Sequence, residues 1–240
     1  MNTLDFKKKT VVGAKLPNFK RYKSLFCNAG SISVTRVLQY ELLSQKKFKG
    51  KTLDFGGGKK AKYKLILNVE EYDSINIDQD MEPTWITTVG QAFPCPKEHY
   101  DHVLSMNTFE HIYDVIPIIE DIYDSLKEGG EFTCALPFLY PVHAHPDDFF
   151  RPTSSWWLTT LGNAGFNEIK IVPILWGPFT TGMVCSGLPG PCKKARIHLN
   201  LIFDLLYSKL RFGNNQDCFD GPIGKQLQNH ALGYFIEARK

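Results

Sequence analysis

Two apolar runs set the frame for the whole chain, because each ends in residues that suit the carboxyl edge of a sheet. Lys51-Thr52-Leu53-Asp54-Phe55 runs directly into Gly56-Gly57-Gly58. Tyr72 to Ile77 closes on Asp78, 24 positions after Asp54. Glycine at a strand end permits positive φ and lets a ligand approach the backbone closely. An acidic side chain closing the next strand can accept from both hydroxyls of a ribose. A chain with these two endings is expected to build a sheet whose carboxyl edge carries a nucleotide-type site.

The pattern continues beyond them. Ser33 can cap a helix with the apolar stripe Val34, Val37, Leu38 and Leu42, ending near Phe48-Lys49-Gly50 with lysines in its last turn. Short strands are expected from Trp85 to Val89 and, after Tyr100-Asp101, from His102 to Met106. A helix from about Val115 to Leu126 carries Ile116, Ile119, Ile122, Tyr123 and Leu126 on one face and stops at Glu128-Gly129-Gly130. Then follow a strand from Glu131 to Leu136, a helix from Ser154 or Ser155 to Leu161, and a strand from Glu168 to Val172. The Gly- and Pro-rich region 176–192 reads as loop, 193–211 as an apolar-rich helix, and Leu232 to Ala238 as the last strand. Strands alternating with helices imply an α/β fold, a mainly parallel sheet with helices on both faces. Ligands of such sheets lie beyond the carboxyl ends of the strands.

With 240 residues, 43% hydrophobic and 22% charged, the chain suits one α/β domain with decorations. The expected division is a basic N-terminal arm and helix over 1–50 and the main domain over 51–240, with 175–231 a helical insertion or lid before the last strand. Residues 1 to about 30 hold no sustained period and read as an irregular arm. Lysines cluster at Lys7, Lys8 and Lys9 and again at Lys46, Lys47, Lys49 and Lys51, yet the net charge is only +3. No nucleic-acid-binding signature accompanies them, so they read as a solvated face and no nucleic-acid partner is expected. Six cysteines without a C-x-x-C pair or zinc spacing, and no signal peptide, point to a reduced, cytoplasmic protein. No apolar run approaches a membrane span. The 193–211 helix, apolar on one side and basic at its ends, suits a lid, a homodimer face or a peripheral membrane contact.

Two cofactors fit the glycine turn. Gly56-x-Gly58-x-x-Ala61 matches a relaxed dinucleotide fingerprint, which gives the alternative of an NAD(P)-dependent enzyme of sugar metabolism. Against it stand Asp54 just before the glycines, two lysines where a helix should begin, and no Tyr–Lys catalytic pair at helical spacing. A non-catalytic scaffold that binds cofactor is a third reading. Further motifs decide the order of preference: Asp54-Phe-Gly-Gly-Gly, Ile75-Asn-Ile-Asp78, Val89-Gly-Gln-Ala-Phe-Pro94, Tyr100-Asp-His-Val-Leu-Ser, Asn107-Thr-Phe-Glu-His111 and Leu126-Lys-Glu-Gly-Gly130. This succession resembles the class I S-adenosylmethionine-dependent methyltransferases, from about Lys51 to Val172 and again from Gly233 to Lys240. The resemblance implies a Rossmann-like fold with an antiparallel C-terminal strand and S-adenosylmethionine as cofactor. It also implies that Asp54, Gly56 and Gly58 lie at the donor, Asp78 on its ribose, Gln91 and Ala92 beside the adenine, and Asn107 near the methionine part. Glu110 and His111 are carried over as cofactor or active-site residues. Gln91 stands where the family often has aspartate, Lys60 replaces a third glycine, and the short stretch before the second strand leaves room only for a stunted helix.

Pro137 to Thr153, PFLYPVHAHPDDFFRPT, begins at the carboxyl edge, directly after the strand ending at Leu136. His143, Pro146, Asp148, Phe149, Arg151 and Thr153 resemble a methyltransferase subgroup common in bacterial polysaccharide gene clusters; His145 stands where that subgroup has a small residue. The resemblance implies O-methylation of a sugar, glycan or related small-molecule acceptor. Methyl transfer to an alcohol needs alignment and removal of a proton. Histidine suits the second task near neutrality, so His143 is the first choice of base. Asp148 would orient it or bond an acceptor hydroxyl, and the planar fork of Arg151 would take a carboxylate or phosphate on the acceptor. Tyr140, Phe149, Phe150, Trp156 and Trp157 could stack on a sugar face. The structural alternative is that Asp148 and Arg151 pair to hold the loop while the aromatics fill the core. His143-x-His145 with Asp147 or Asp148 could ligate a divalent ion, but neighbouring ligands in a proline-rich loop are a thin signal, and no metal is expected.

Overall fold

The computed structural model describes residues 9–26, 33–143, 147–187, 190–213 and 227–240. Among these residues, eight strands form one sheet: β1 (Lys9–Val11), β2 (Phe48–Phe55), β3 (Val69–Asn76), β4 (Trp85–Ile86), β5 (Tyr100–Met106), β6 (Leu126–Pro137), β7 (Glu168–Ile174) and β8 (Gly233–Arg239). Their spatial order is β1-β7-β8-β6-β5-β2-β3-β4. Every pairing is parallel except those of β8, which runs antiparallel between β6 and β7. The mainly parallel sheet with an antiparallel C-terminal strand is therefore the one expected.

Among the described residues, six helices flank the sheet: α1 (Phe19–Phe26), α2 (Val34–Leu43), α3 (Ile116–Ser125), α4 (Ser154–Asn163), α5 (Pro178–Cys185) and α6 (Lys193–Phe212). Side chains alternate across a strand, so the central strands feed two cores. On one face Leu53, Val103, Phe132 and Ile236 meet Ile119 and Ile122 of α3 and Trp157 and Leu161 of α4. On the other, Leu104, Met106, Ala135 and Phe235 meet Val37 and Leu38 of α2, Phe26 of α1 and Leu201 of α6. Leu53, Val103, Leu104 and Phe132 are wholly buried, each worth roughly 1.5–3 kcal/mol of hydrophobic burial.

Several expected boundaries move, for physical reasons. Ser33 does cap α2, its side chain accepting from Arg36 N, but the helix ends at Leu43. Phe48 is drawn into β2, where it is buried against the ring of His102. The boundary drawn at 50/51 thus falls inside β2, and the arm is not irregular throughout: Lys9–Val11 pairs with β7 and Phe19–Phe26 is helical. Lys46 does not belong to a solvated face, since its ammonium joins Glu131 of β6 to Glu237 of β8. Gly129-Gly130 do not end α3. The helix stops at Ser125, β6 starts at once, and Gly129 takes φ +74° beside an irregularity in the β5–β6 pairing. The expected loop 176–192 contains α5, whose first amides, Phe179 N and Thr180 N, donate to the buried carboxylate of Asp204 on α6. The stunted helix after the glycines is real: only a 3-10 turn, Lys62–Ile66, stands there.

Candidate active site

On the donor side, the turn after β2 is fixed by close packing. Gly56 has φ +83°, and a Cβ on it would lie 2.2 Å from Oγ1 of Thr108. A Cβ on Gly57 would lie 2.0 Å from the Asp54 carboxylate, and one on Gly58 2.3 Å from the carbonyl oxygen of Met81. Nδ2 of Asn76 donates to the carbonyls of Gly56 and Gly57, both at 2.9 Å, tying the turn to β3. Asp54 is wholly buried and accepts from the hydroxyls of Tyr63 at 2.9 Å and Tyr72 at 2.7 Å. Burial pushes its carboxyl up to about 6, against the pull of those two hydrogen bonds. Asp54 thus sits beneath the turn as a support, with its oxygens already engaged by tyrosines.

Asp78, Gln91 and Ala92 are exposed on the neighbouring loops. Thr87 N donates to Asn76 O, which holds the loop after β4 against the end of β3. Asp78 accepts from Asp80 N at 2.9 Å. Two large apolar side chains stand in solvent on the same loops, Ile77 at 57% and Val89 at 89% exposure. A carboxylate flanked by exposed apolar groups suits a ribose and an adenine, so the residues present fit an adenosyl cofactor here.

Asn107 follows β5 directly, with φ +54°, and donates its backbone N–H to Ala135 O of β6 at 2.7 Å. Its side-chain amide makes a reciprocal pair with Gln39: Gln39 Nε2 donates to Asn107 Oδ1 at 2.7 Å, and Asn107 Nδ2 donates to Gln39 Oε1 at 3.0 Å. Gln39 was not among the expected site residues. Its signal was present, because Gln39 lies one turn after Thr35 on the flank of the apolar stripe of α2, and both are buried.

On the acceptor side, two separate sequence motifs converge. Glu110 and His111 lie on a 3-10 turn, Phe109–His111, after β5. The segment after β6 folds over it: Phe149 N donates to Glu110 O at 2.8 Å, and Nδ1 of His111 meets the carbonyl oxygen of Asp147. Glu110 is fully buried, and neither carboxylate oxygen has a hydrogen-bond partner among the described residues. Burial pushes this carboxyl up to about 7, against the nearby charges of His111 and Arg151. Nε2 of His111 stands 3.8 Å from Glu110 Oε1, and the rings of His111 and His143 are 5.3 Å apart.

His143, Asp148 and Arg151 lie together on this loop. Asp148 Oδ2 accepts from His143 N at 3.0 Å and lies 3.3 Å from His143 Nδ1. The guanidinium of Arg151 grips both oxygens of Asp148. Burial raises the Asp148 carboxyl, but the Arg151 and His143 hydrogen bonds outweigh it and hold the group below its ordinary range. Burial lowers the His143 imidazole, against the opposing charge of Asp148. The Arg151 fork is committed to Asp148, so the loop-holding pairing is present. The aromatic wall divides: Trp157 is wholly buried against Phe109, while Phe150 and Trp156 pack on each other at 4.7 Å. Phe149 remains half-exposed, next to the exposed ring of Tyr113, a residue the sequence pattern did not single out. His145 and Pro146 lie outside the described residues.

A family model describing a methyltransferase domain matches residues 33–160. The match runs from the start of α2 into α4, more than half of the 240 residues. The chain belongs to the methyltransferase-domain family. No curated protein matches this methyltransferase in sequence. Solved structures share its fold. An S-adenosylmethionine-dependent methyltransferase of Thermotoga maritima is 14% identical with a TM-score of 0.53, covering 92% of this chain and 94% of that one. One from Archaeoglobus fulgidus is 15% identical with a TM-score of 0.52, covering 92% and 99%. Phosphoethanolamine N-methyltransferase 2 of Haemonchus contortus, in complex with phosphomonomethylethanolamine and S-adenosylhomocysteine, is 15% identical with a TM-score of 0.52, covering 92% of this chain. This methyltransferase spans 56% of that enzyme's length. Among the described residues, no helix is long and apolar enough to cross a membrane.

Proposed function

We propose that this methyltransferase methylates an oxygen of a sugar, glycan intermediate or related small molecule, at the cluster of Glu110, His111, His143, Asp148 and Arg151. S-adenosylmethionine is the donor, and when bound it supplies an electrophilic methyl group on a sulfonium. Asp78 would take its ribose, Gln91, Ala92, Ile77 and Val89 would surround the adenine, and Asn107 would lie by the methionine part. The observation that carries the reading is the meeting of two motifs, after β5 and after β6, on the same carboxyl edge that holds Asn107 and the glycine turn.

Each acceptor-side residue has a task in this reading. His143 stands where the acceptor proton must leave, with Asp148 against its Nδ1 to orient the ring. Arg151 holds Asp148 in place and fixes the loop. Phe149 and Tyr113 offer the exposed aromatic surface on which a sugar ring can stack. The resemblance of the 143–153 segment to methyltransferases of polysaccharide gene clusters supports a glycan acceptor. Cys185 of α5 contacts the Leu139 carbonyl, which supports α5 as part of a cover over this edge. The exposed apolar side chains of α6, among them Leu206 and Leu210, leave a homodimer or a peripheral membrane surface as its second use.

Calorimetry with S-adenosylhomocysteine tests the donor side: Asp78→Ala should abolish binding, and tight binding by the variant would sink the ribose assignment. His143→Ala should retain cofactor binding and lose turnover. Stabilisation by S-adenosylhomocysteine and none by NAD(H) in a thermal shift separates methyl transfer from the nicotinamide alternative. Mass spectrometry of glycans from cells with and without the protein would name the acceptor.

A further inference from the structure

Glu110, His111 and His143 each bring one ligand atom within 4.8 Å of the others. This is a different set from the His143-x-His145 pair considered from sequence, since it joins two loops. Two imidazoles and a carboxylate are the donors that first-row divalent ions favour. The surroundings prepare them for that task. Nδ1 of His111 faces the Asp147 carbonyl oxygen, which can only accept, so that nitrogen carries the proton and Nε2 is left bare. Nδ1 of His143 lies 3.3 Å from Oδ2 of Asp148 and 3.5 Å from Nη2 of Arg151, so the loop that carries Asp148 and Arg151 holds this ring in place. Metal-ligating histidines commonly donate their second ring N–H to a carbonyl or carboxylate, as His111 does here to the Asp147 carbonyl.

Charge and burial point the same way. Asp148 is paired with Arg151, whereas neither carboxylate oxygen of Glu110 has a hydrogen-bond partner among the described residues. A fully buried carboxyl without hydrogen-bond partners is costly to ionise, and a cation beside it removes that cost. We propose that Glu110, His111 and His143 bind a first-row divalent cation such as Zn2+, Mn2+ or Co2+. Three protein ligands leave coordination positions open for an acceptor hydroxyl, whose proton is lost to solvent more readily when its oxygen is ligated. His143 then serves as a ligand, and the ion takes over the acidifying task assigned to it above. Ion binding stands on the donor set alone; its part in methyl transfer rests on the proposed function.

The test uses the full chain stripped with a chelator and titrated with Co2+, followed by visible absorbance and calorimetry. S-adenosylhomocysteine binding is measured on the same samples. One Co2+ per chain is expected, displaced by Zn2+, with affinity falling at least about tenfold in Glu110→Gln and in His143→Asn. His143 is 40% exposed, so the second variant keeps the test open if the first fails to fold. No Co2+ uptake alongside intact S-adenosylhomocysteine binding would overturn the ion and leave the methyltransferase reading standing. Uptake unchanged in both variants would place the metal on other histidines and overturn it equally. Co2+ uptake without S-adenosylhomocysteine binding would support the ion and count against the donor site.

Discussion

The side-chain amides of Gln39 and Asn107 bond each other in both directions, joining a helix near the N-terminus to the loop after a central strand. Gln39 is wholly buried, and Asn107 holds a left-handed backbone at +54°, so the pair fixes a residue that would otherwise relax. Gln39→Leu removes one partner and leaves a half-buried amide unsatisfied, a loss of about 1–3 kcal/mol. Urea unfolding should show this loss, and S-adenosylhomocysteine should bind more weakly. An unchanged midpoint and affinity would mean that the pair positions nothing.

Asp148 and Arg151 make the second prediction. Arg151→Met leaves the Asp148 carboxylate, 4% exposed, without its cation, which should cost about 3 kcal/mol. Arg151→Lys restores the charge without the planar fork and should recover only part of that loss. Turnover should fall in both variants while S-adenosylhomocysteine affinity holds. Full recovery with lysine would show that charge alone matters.

Asp54 gives a pH signature. Its folded carboxyl is pushed up to about 6, above the ordinary unfolded value of about 3.9. As pH falls from about 6 toward 4, the folded state keeps a proton that the unfolded state releases. This group therefore adds stability on acidification, about 3 kcal/mol at most, and loses that contribution as pH rises through 6. Asp54→Asn should remove this slope. Unfolding free energies of the two proteins measured from pH 4 to 7 should converge at the acidic end, and parallel curves would refute the assignment.

Gly56→Ala concerns the turn itself. The added methyl would meet Thr108 on a backbone at φ +83°, so steric overlap joins left-handed strain of about 1 kcal/mol or more. The melting temperature should fall by several degrees, and donor binding should weaken with it. In contrast, Gly90 also has positive φ but open space around it. Gly90→Ala should cost only the backbone strain, and equal losses at the two positions would remove the packing argument.

The sequence by itself determined the alternation of strands and helices, the glycine turn after β2 and the acidic ending at Asp78, because local periodicity and turn chemistry act over a few residues. It also determined that the 137–153 segment starts at the carboxyl edge. Only the tertiary structure decided which of those residues meet. Strand order placed the Glu110 turn beside the His143–Arg151 segment, a juxtaposition that no spacing along the chain encodes. Packing of α2 brought Gln39 to Asn107, and the 3-10 turn below the glycines turned Asp54 toward Tyr63. Trp157 went to the core and Tyr113 to the rim, because burial follows which face a helix or loop presents once its neighbours are in place. Local physics writes the elements and their endings; the site is made by long-range pairing, which the chain sets only through the whole of its core.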